Sequence, residues 1–261
     1  IRRIPDRSID MILADLPYGT LNSSQAWDVP IPFDVMWREF SRVIKPSHAI
    51  VLTASQPFTS ALLMSKPKWF RHHWVWDKKL GGNSHQVKKA PLKIHEDVLV
   101  FADRGVRYFP QMKKGLMTYK GFRCAKNHVL NSEANTLSKN DEYYPKSIVP
   151  FQRPIRDRLH PTQKPVELFE YLMKTYSLEG EMVLDICAGS FTTAIAADNL
   201  KRKWICMELN EGFFKDGVER VNENRKNLNS QLFGEYALPL EVDMNQKHSL
   251  MFRQELNAKT I

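Results

Sequence analysis

Val183 to Ala197, VLDICAGSFTTAIAA, reads as a strand, a turn and a helix in immediate succession. The apolar run Met182 to Ile186 is a buried strand, Ala188-Gly189-Ser190 is a turn of small residues at its carboxyl end, and Thr192 to Leu200 is helical. Small residues at that point let a ligand come close to the backbone, where an open parallel sheet forms its crevice. The next strand, Lys203 to Leu209, carries Glu208, 23 residues beyond Asp185. An acid so placed can accept hydrogen bonds from both hydroxyls of a ribose. The loop holds a single glycine, so an adenosine compound fits better than a dinucleotide. Candidate binding residues are therefore Asp185, Cys187, Ala188, Gly189, Ser190 and Glu208.

Outward from this unit, strands and amphipathic helices keep alternating. Pro165 to Tyr176 predicts a helix with proline at its start, and Glu211 to Arg225 another. Near the other end, Ser8 to Ala14 (SIDMILA) is a buried strand that runs into Asp15-Leu16-Pro17-Tyr18-Gly19. Phe33, Met36, Trp37, Phe40, Val43 and Ile44 then fall on one helical face, with Lys45-Pro46 as the stop. Ala49 to Thr53 is a strand, Pro57 to Met64 a helix, and His73 to Trp76 and Asp97 to Ala102 are two more strands. The expected fold is α/β: a mostly parallel twisted sheet with an antiparallel edge hairpin and helices on both faces. No internal repeat is present.

Composition narrows the class. A chain of 261 residues, 43% hydrophobic, buries one substantial core. No apolar run reaches the roughly 20 residues of a membrane helix, so no membrane partner is expected. The three cysteines, Cys124, Cys187 and Cys206, match neither a disulfide framework nor a zinc site, which points to a reducing cytosol and no metal. Net charge is +9, and from Arg107 to Lys164 there are 12 Lys or Arg against 4 Asp or Glu. Positive charge concentrated in one stretch is the footprint of a nucleic-acid partner. That stretch, about residues 108–159, is polar, basic and dotted with aromatics, without sustained periodicity. It is expected to be an inserted functional subdomain.

Two segments carry a resemblance. Val183 to Thr193 is similar to the cofactor motif Asp-Pro-Phe-x-Gly-Ser-Gly-Thr-Thr of amino-methyltransferases. Leu159-His160-Pro161-Thr162-Gln163-Lys164-Pro165 resembles the segment just before that motif in the family's beta group. The resemblance implies a Rossmann-like S-adenosylmethionine-dependent methyltransferase fold with S-adenosylmethionine as cofactor. Thr162, Gln163 and Lys164 would then lie near its methionine end. One departure is Phe191, which stands where the family has glycine. Its ring would either crowd the methionine arm or point into the core.

Asp15-Leu16-Pro17-Tyr18 resembles the family's catalytic Asp-Pro-Pro-Tyr tetrad, with Leu16 for the first proline. An exocyclic amine on an aromatic base is a poor nucleophile because its lone pair is delocalised into the ring. Asp15 and a backbone carbonyl at Leu16 or Pro17 can accept both amine hydrogens and localise that lone pair. Pro17 stiffens the loop and offers no competing N–H. Tyr18 offers a flat face to a base flipped out of the duplex. Asp15, Pro17 and Tyr18 are the candidate catalytic residues, with Asp15 also beside the cofactor. Methyl transfer would be a direct in-line displacement that rests on proximity and electrostatics. A leading Asp implies adenine N6 as target, with cytosine N4 the alternative. Carbon methylation of cytosine is excluded, because the chain has no Pro-Cys dipeptide. A non-catalytic DNA-binding relic of the fold is a second class to separate, and an RNA or small-molecule methyltransferase, which would not need so basic an insertion, is a third.

The order of segments is that of the beta group, which divides the chain into a catalytic half (1–107), a basic target-recognition insertion (108–159), a cofactor half (160–225) and a tail without assigned role (226–261). Lys88, Lys89, Arg153, Arg156 and Arg158 are candidates for contact with double-stranded DNA. His95-Glu96 resembles a recurrent family pair that opens a strand and is assigned structure rather than chemistry. The group also raises a homodimer, a restriction–modification setting and a bacterial cytoplasmic location. Asp-Leu-Pro-Tyr-Gly-Thr followed by Trp27-Asp28 is similar to prophage-encoded members. Ile1 lies a few residues before the catalytic strand, which implies either a further N-terminal segment or a more open cofactor pocket.

Overall fold

The computed structural model describes residues 1–20, 27–84, 87–120, 138–155, 159–160, 162–232, 242–243 and 250–253. Its centre is a parallel block of four strands: β9 (Lys203–Glu208), β8 (Met182–Asp185), β1 (Ile9–Asp15) and β2 (Ile44–Ala54), adjacent in that order. Beyond β2 comes antiparallel β4 (His95–Phe101), then β3 (Phe70–Asp77), and last the three-residue β7 (Ile148–Pro150), parallel to β3. The expected antiparallel hairpin is therefore present, and β7 covers its outer edge. At the other side, β11 (Leu250–Arg253) pairs antiparallel with β9, and β10 (Val242–Asp243) with β11, so part of the tail joins the sheet.

Alternation along the strands decides which helix goes where. Met11 and Leu13 of β1 join Ala49, Val51, Val183, Trp204 and Cys206 on one face. There they are covered by α3 (Val166–Tyr176), α4 (Thr192–Asn199) and α5 (Glu211–Leu232). Ile12, Ala14, Ile50, Leu52 and Leu184 point the other way, to α1 (Phe33–Val43) and α2 (Phe58–Ser65). A period of two along each strand and 3.6 along each helix thus produces two apolar layers around one sheet. Ile44, expected on the apolar face of α1, is instead extended (φ −74°, ψ 140°) and opens β2 opposite Ile9. Pairing with Ile9 holds Ile44 in the extended form, and Pro46 drives the next residue, Lys45, the same way.

β1 leads through α1 to β2 on one side, and β8 through α4 to β9 on the other. The crevice between the carboxyl ends of β1 and β8 is where an open α/β sheet binds its ligand. Asp15, Asp185 and Glu208 each close a strand at that edge. The antiparallel course of β4 brings its beginning, His95 and Glu96, to the same edge, where Glu96 pairs with Trp76 and Asp97 with Ala54.

Pro110–Lys146 forms a separate compact unit, narrower than the expected 108–159 because Ser147 onward rejoins the main sheet through β7. Within it, β5 (Lys113–Lys120) and β6 (Ser138–Tyr143) pair antiparallel. Helix α5 continues seven residues past the expected end at Arg225, to Leu232. Among the described residues no helix is long and apolar enough to cross a membrane.

Candidate active site

A cavity of about 600 Å³ opens at the carboxyl edge of the parallel strands. Asp15, Leu16, Pro17 and Tyr18 line it on one side, and Asp185, Cys187, Ala188, Gly189, Ser190 and Glu208 on the other. Thr162, Gln163 and Lys164 complete the wall. Three segments far apart in sequence are thus brought to one space.

Asp15 is the most heavily engaged side chain. Its Oδ1 accepts hydrogen bonds from the Tyr18 hydroxyl (2.9 Å) and the Thr53 hydroxyl, and its Oδ2 accepts one from Lys164 Nζ (2.6 Å). Register explains Thr53: it lies directly opposite Asp15 across the β1–β2 ladder. Burial, reinforced by the Asp15 charge, raises the Tyr18 hydroxyl well above its ordinary pKa. It therefore stays protonated and donating. One face of the Tyr18 ring stacks on Phe58 at 5.2 Å.

Lys164 is only 5% exposed. Burial by itself would lower its pKa, but the carboxylates of Asp15 and Glu96 outweigh that and the net shift is upward. Glu96 Oε2 lies 3.4 Å from Lys164 Nζ, and its Oε1 lies 3.2 Å from Nζ of Lys78, another buried lysine. Burial of a cation is tolerable only with such partners. Neither Glu96, Lys78 nor Thr53 was marked as chemical by the sequence, because only strand pairing brings them to Asp15.

On the far side, Glu208 Oε2 accepts the backbone N–H of Gly189 (2.8 Å), and its Oε1 that of Asn210 (2.8 Å). Gly189 takes φ +49°, a conformation that glycine adopts without strain. Asp185 accepts the Thr193 hydroxyl and the Cys187 N–H (2.9 Å). Burial raises its pKa to about 7 against those stabilising hydrogen bonds. Burial also pushes the Cys187 thiol well up, so it contributes a neutral wall.

The rest of the lining was not foreseen. Ile186, Leu209 and Phe213 are apolar, and His160 packs between Trp27 (4.9 Å) and Phe213 (4.4 Å). Asn210 caps α5 by accepting the Phe213 N–H at 3.0 Å, which sets that ring at the cavity wall. Asp28, previously noted only as part of Trp27-Asp28, accepts the Gly19 N–H at 2.9 Å and holds the loop after Tyr18.

Phe191 resolves in favour of the core. It is fully buried, does not line the cavity, and packs edge-on against Phe214 at 5.7 Å. A Cβ added to Gly217 of α5 would sit 2.0 Å from its ring, so Gly217 is the notch that receives it. Among the candidate DNA contacts, Lys88 and Lys89 are exposed on the β3–β4 connection. Arg153 is half-buried, with Nε lacking a hydrogen-bond partner among the described residues. Arg156 and Arg158 lie outside the described residues.

With the geometry in place, the comparisons agree on the family. The sequence model described as DNA methylase, of the N6/N4 type, matches residues 9–219. The chain belongs to the N6/N4 amino-DNA methyltransferases. It is 27% identical over 237 residues to the DNA adenine methyltransferase YhdJ of Escherichia coli strain K12, which covers 85% of this chain and 79% of the relative. It is 23% identical over 240 residues to the type II methyltransferase M.HpaI of Haemophilus parainfluenzae, covering 88% and 73%. Its fold matches the solved PvuII cytosine-N4-specific DNA methyltransferase with a TM-score of 0.58 at 16% identity, over 90% of this chain and 89% of that one. The M1.HpyAVI–SAM complex matches at 0.56 and 19%, over 82% and 89%.

As an amino-DNA methyltransferase the chain takes its methyl group from S-adenosylmethionine. The cavity fits that donor. Its volume lies in the range of small-molecule sites, and Leu209, Ile186 and Phe213 give an apolar wall suited to adenine. Each Glu208 oxygen keeps a lone pair for a ribose hydroxyl after accepting its backbone N–H. Lys164, a buried cation, also lines the cavity.

Proposed function

We propose that this DNA methyltransferase acts on the exocyclic N6 amino group of adenine. The hydrogen-bond state of Asp15 carries the exocyclic-amine part of this reading, and the choice of adenine rests on the leading Asp of the tetrad and on the named specificity of YhdJ. A carboxylate offers about four acceptor positions. Tyr18 and Thr53 occupy those of Oδ1, and Lys164 occupies one of Oδ2, which leaves one on the oxygen beside the cavity. An amine hydrogen fills that place, and the Leu16 or Pro17 carbonyl accepts the second. Both bonds strengthen the lone pair's localisation on nitrogen, since accepting the two N–H hydrogens raises electron density on that atom and weakens its conjugation with the ring. When bound, the donor would supply the methyl group: the N–C bond forms as the sulfonium's S–C bond breaks, S-adenosylhomocysteine leaves, and the surplus amine proton is lost to solvent. Asp15, Pro17 and Tyr18 orient the amine toward it, and no protein nucleophile is needed.

Adenine is favoured over cytosine by Asp15 at the head of the tetrad and by the named specificity of YhdJ, at 27% identity. Cytosine N4 is the second reading, since the same two acceptors suit any exocyclic amine and the PvuII enzyme shares the fold. For DNA contact, the exposed Lys88 and Lys89 supply phosphate charge at the catalytic edge, and Pro110–Lys146 with Arg153, Arg156 and Arg158 supplies target recognition.

Purified protein, labelled S-adenosylmethionine and unmethylated genomic DNA, followed by nucleoside mass spectrometry, tests the assignment. The expected product is 6-methyladenine. Appearance of 4-methylcytosine alone would keep the chemistry and replace the base, and absence of any product with no donor binding would favour the relic.

A further inference from the structure

Lys78, Glu96, Lys164 and Asp15 form an unbroken row of alternating charges. The successive contacts are 3.2, 3.4 and 2.6 Å. Side-chain exposures along the row are 8%, 16%, 5% and 21%, so it runs from a buried outer lysine to the carboxylate at the cavity. Each member comes from a different part of the chain: Lys78 just after β3, Glu96 in β4, Lys164 just before α3 and Asp15 at the end of β1. Antiparallel β4 supplies Glu96 here because its start lies at the edge where the parallel strands end.

We propose that Glu96, held by Lys78, is a positioning residue that shares Lys164 with Asp15 and so keeps the catalytic carboxylate available to the target amine; this rests on the amino-transfer reading above. The physical case has two parts. First, Lys164 is the strongest competitor for Asp15 Oδ2, and a second carboxylate on the same ammonium draws part of its charge away. Second, the attacking amine gains positive charge as the new N–C bond forms and keeps it until its proton leaves. A row that sums to zero leaves Asp15 able to favour that charge. Neutralising Glu96 would make the row net positive beside a developing cation, in surroundings where charges are poorly screened. Cofactor binding has the opposite sign, since an ammonium with fewer competing carboxylates attracts the donor's own carboxylate at least as well.

Two variants of the full chain test this. Glu96→Gln removes the shared acid but strands Lys78. Lys78→Met/Glu96→Gln removes both outer charges together, so no buried cation is orphaned and folding is preserved. On unmethylated DNA, kcat should fall about tenfold in Glu96→Gln, where the shared acid is lost and the row is left net positive, and about threefold in the double variant, where only the sharing of Lys164 is lost. S-adenosylhomocysteine, titrated by calorimetry, should bind at least as tightly as to wild type. A double variant with wild-type kcat would overturn the proposal and leave the outer pair merely structural. Equal losses of kcat and S-adenosylhomocysteine binding would do the same, as the mark of a generally disturbed pocket. Wild-type protein that yields no methylated nucleoside would sink the underlying reading instead, which keeps the two failures apart.

Discussion

Asp15 takes hydrogen bonds from Tyr18 in its own loop, Thr53 on β2 and Lys164 ahead of α3. That convergence predicts a selective defect. Asp15→Ala should lower turnover by at least about a hundredfold while S-adenosylhomocysteine binding, measured by calorimetry, is largely kept. Near-normal turnover would refute its catalytic role. Asp185 predicts a pH effect. Its folded pKa, about 7, exceeds the ordinary 3.8 because burial disfavours the charged form. The folded state therefore holds more protons than the unfolded one between those values, and the stabilising contribution of this group is lost as pH rises through them. The stability of wild type relative to Asp185→Asn should accordingly decline from pH 4 to pH 8 in denaturant titrations. A constant gap would show that Asp185 ionises normally.

At the scale of elements, the junction of β8 and α4 depends on Phe191, which holds φ 58° and ψ 31° ahead of the helix. Left-handed backbone costs a non-glycine residue about 1–2 kcal/mol, but the ring fills the notch at Gly217 between α4 and α5. Removing a buried phenylalanine side chain costs about 3–5 kcal/mol. Phe191→Gly should thus destabilise by about 1–4 kcal/mol in urea melts without improving donor affinity. Tighter donor binding would mean that the ring crowds the cofactor after all. The loop after β1 has a parallel constraint. Gly19 takes φ +67°, and a Cβ there would lie 2.5 Å from Pro30 Cγ. Gly19→Ala should loosen the loop that Asp28 holds and reduce kcat, with the fold retained by circular dichroism. Unchanged kcat would show that the loop does not position Tyr18.

At the scale of the molecule, every residue that lines the cavity belongs to the unit Ile1–Phe109 and Ser147–Ile261, and Pro110–Lys146 is compact by itself. Joining Phe109 to Ser147 by a short linker should therefore leave S-adenosylhomocysteine binding intact and abolish selective DNA methylation. Retained site selectivity would move target recognition elsewhere. Binding of DNA by the whole chain should weaken steeply with salt, with log affinity falling about 0.9 per phosphate neutralised. A flat salt dependence would argue against a phosphate-dominated interface.

Local sequence sufficed where local physics decides. The strand–turn–helix at Val183 to Ala197 and the acid at Glu208 were legible because periodicity and turn chemistry act over a few residues, whereas Asp15 was singled out by the resemblance of its tetrad to the family's. The extended course of Ile44 and the return of Ile148–Pro150 to the main sheet were not, since both are set by strand pairing with distant partners. The same holds inside the cavity. Motifs named Asp15 and Lys164 separately. Their 2.6 Å contact comes from the packing of α3 on the sheet, and the Thr53 bond and the addition of Glu96 and Lys78 come from the register of β1, β2, β4 and β3. Phe191 could not be placed from sequence, because its direction depends on a gap in α5 that exists only once the two helices pack. The sequence by itself therefore determined the family, the alternation of strands and helices, and the strand ends at which Asp15, Asp185 and Glu208 stand. Tertiary structure alone decided how the charges share one another, because a carboxylate's partners are a matter of distance in space rather than position in the chain.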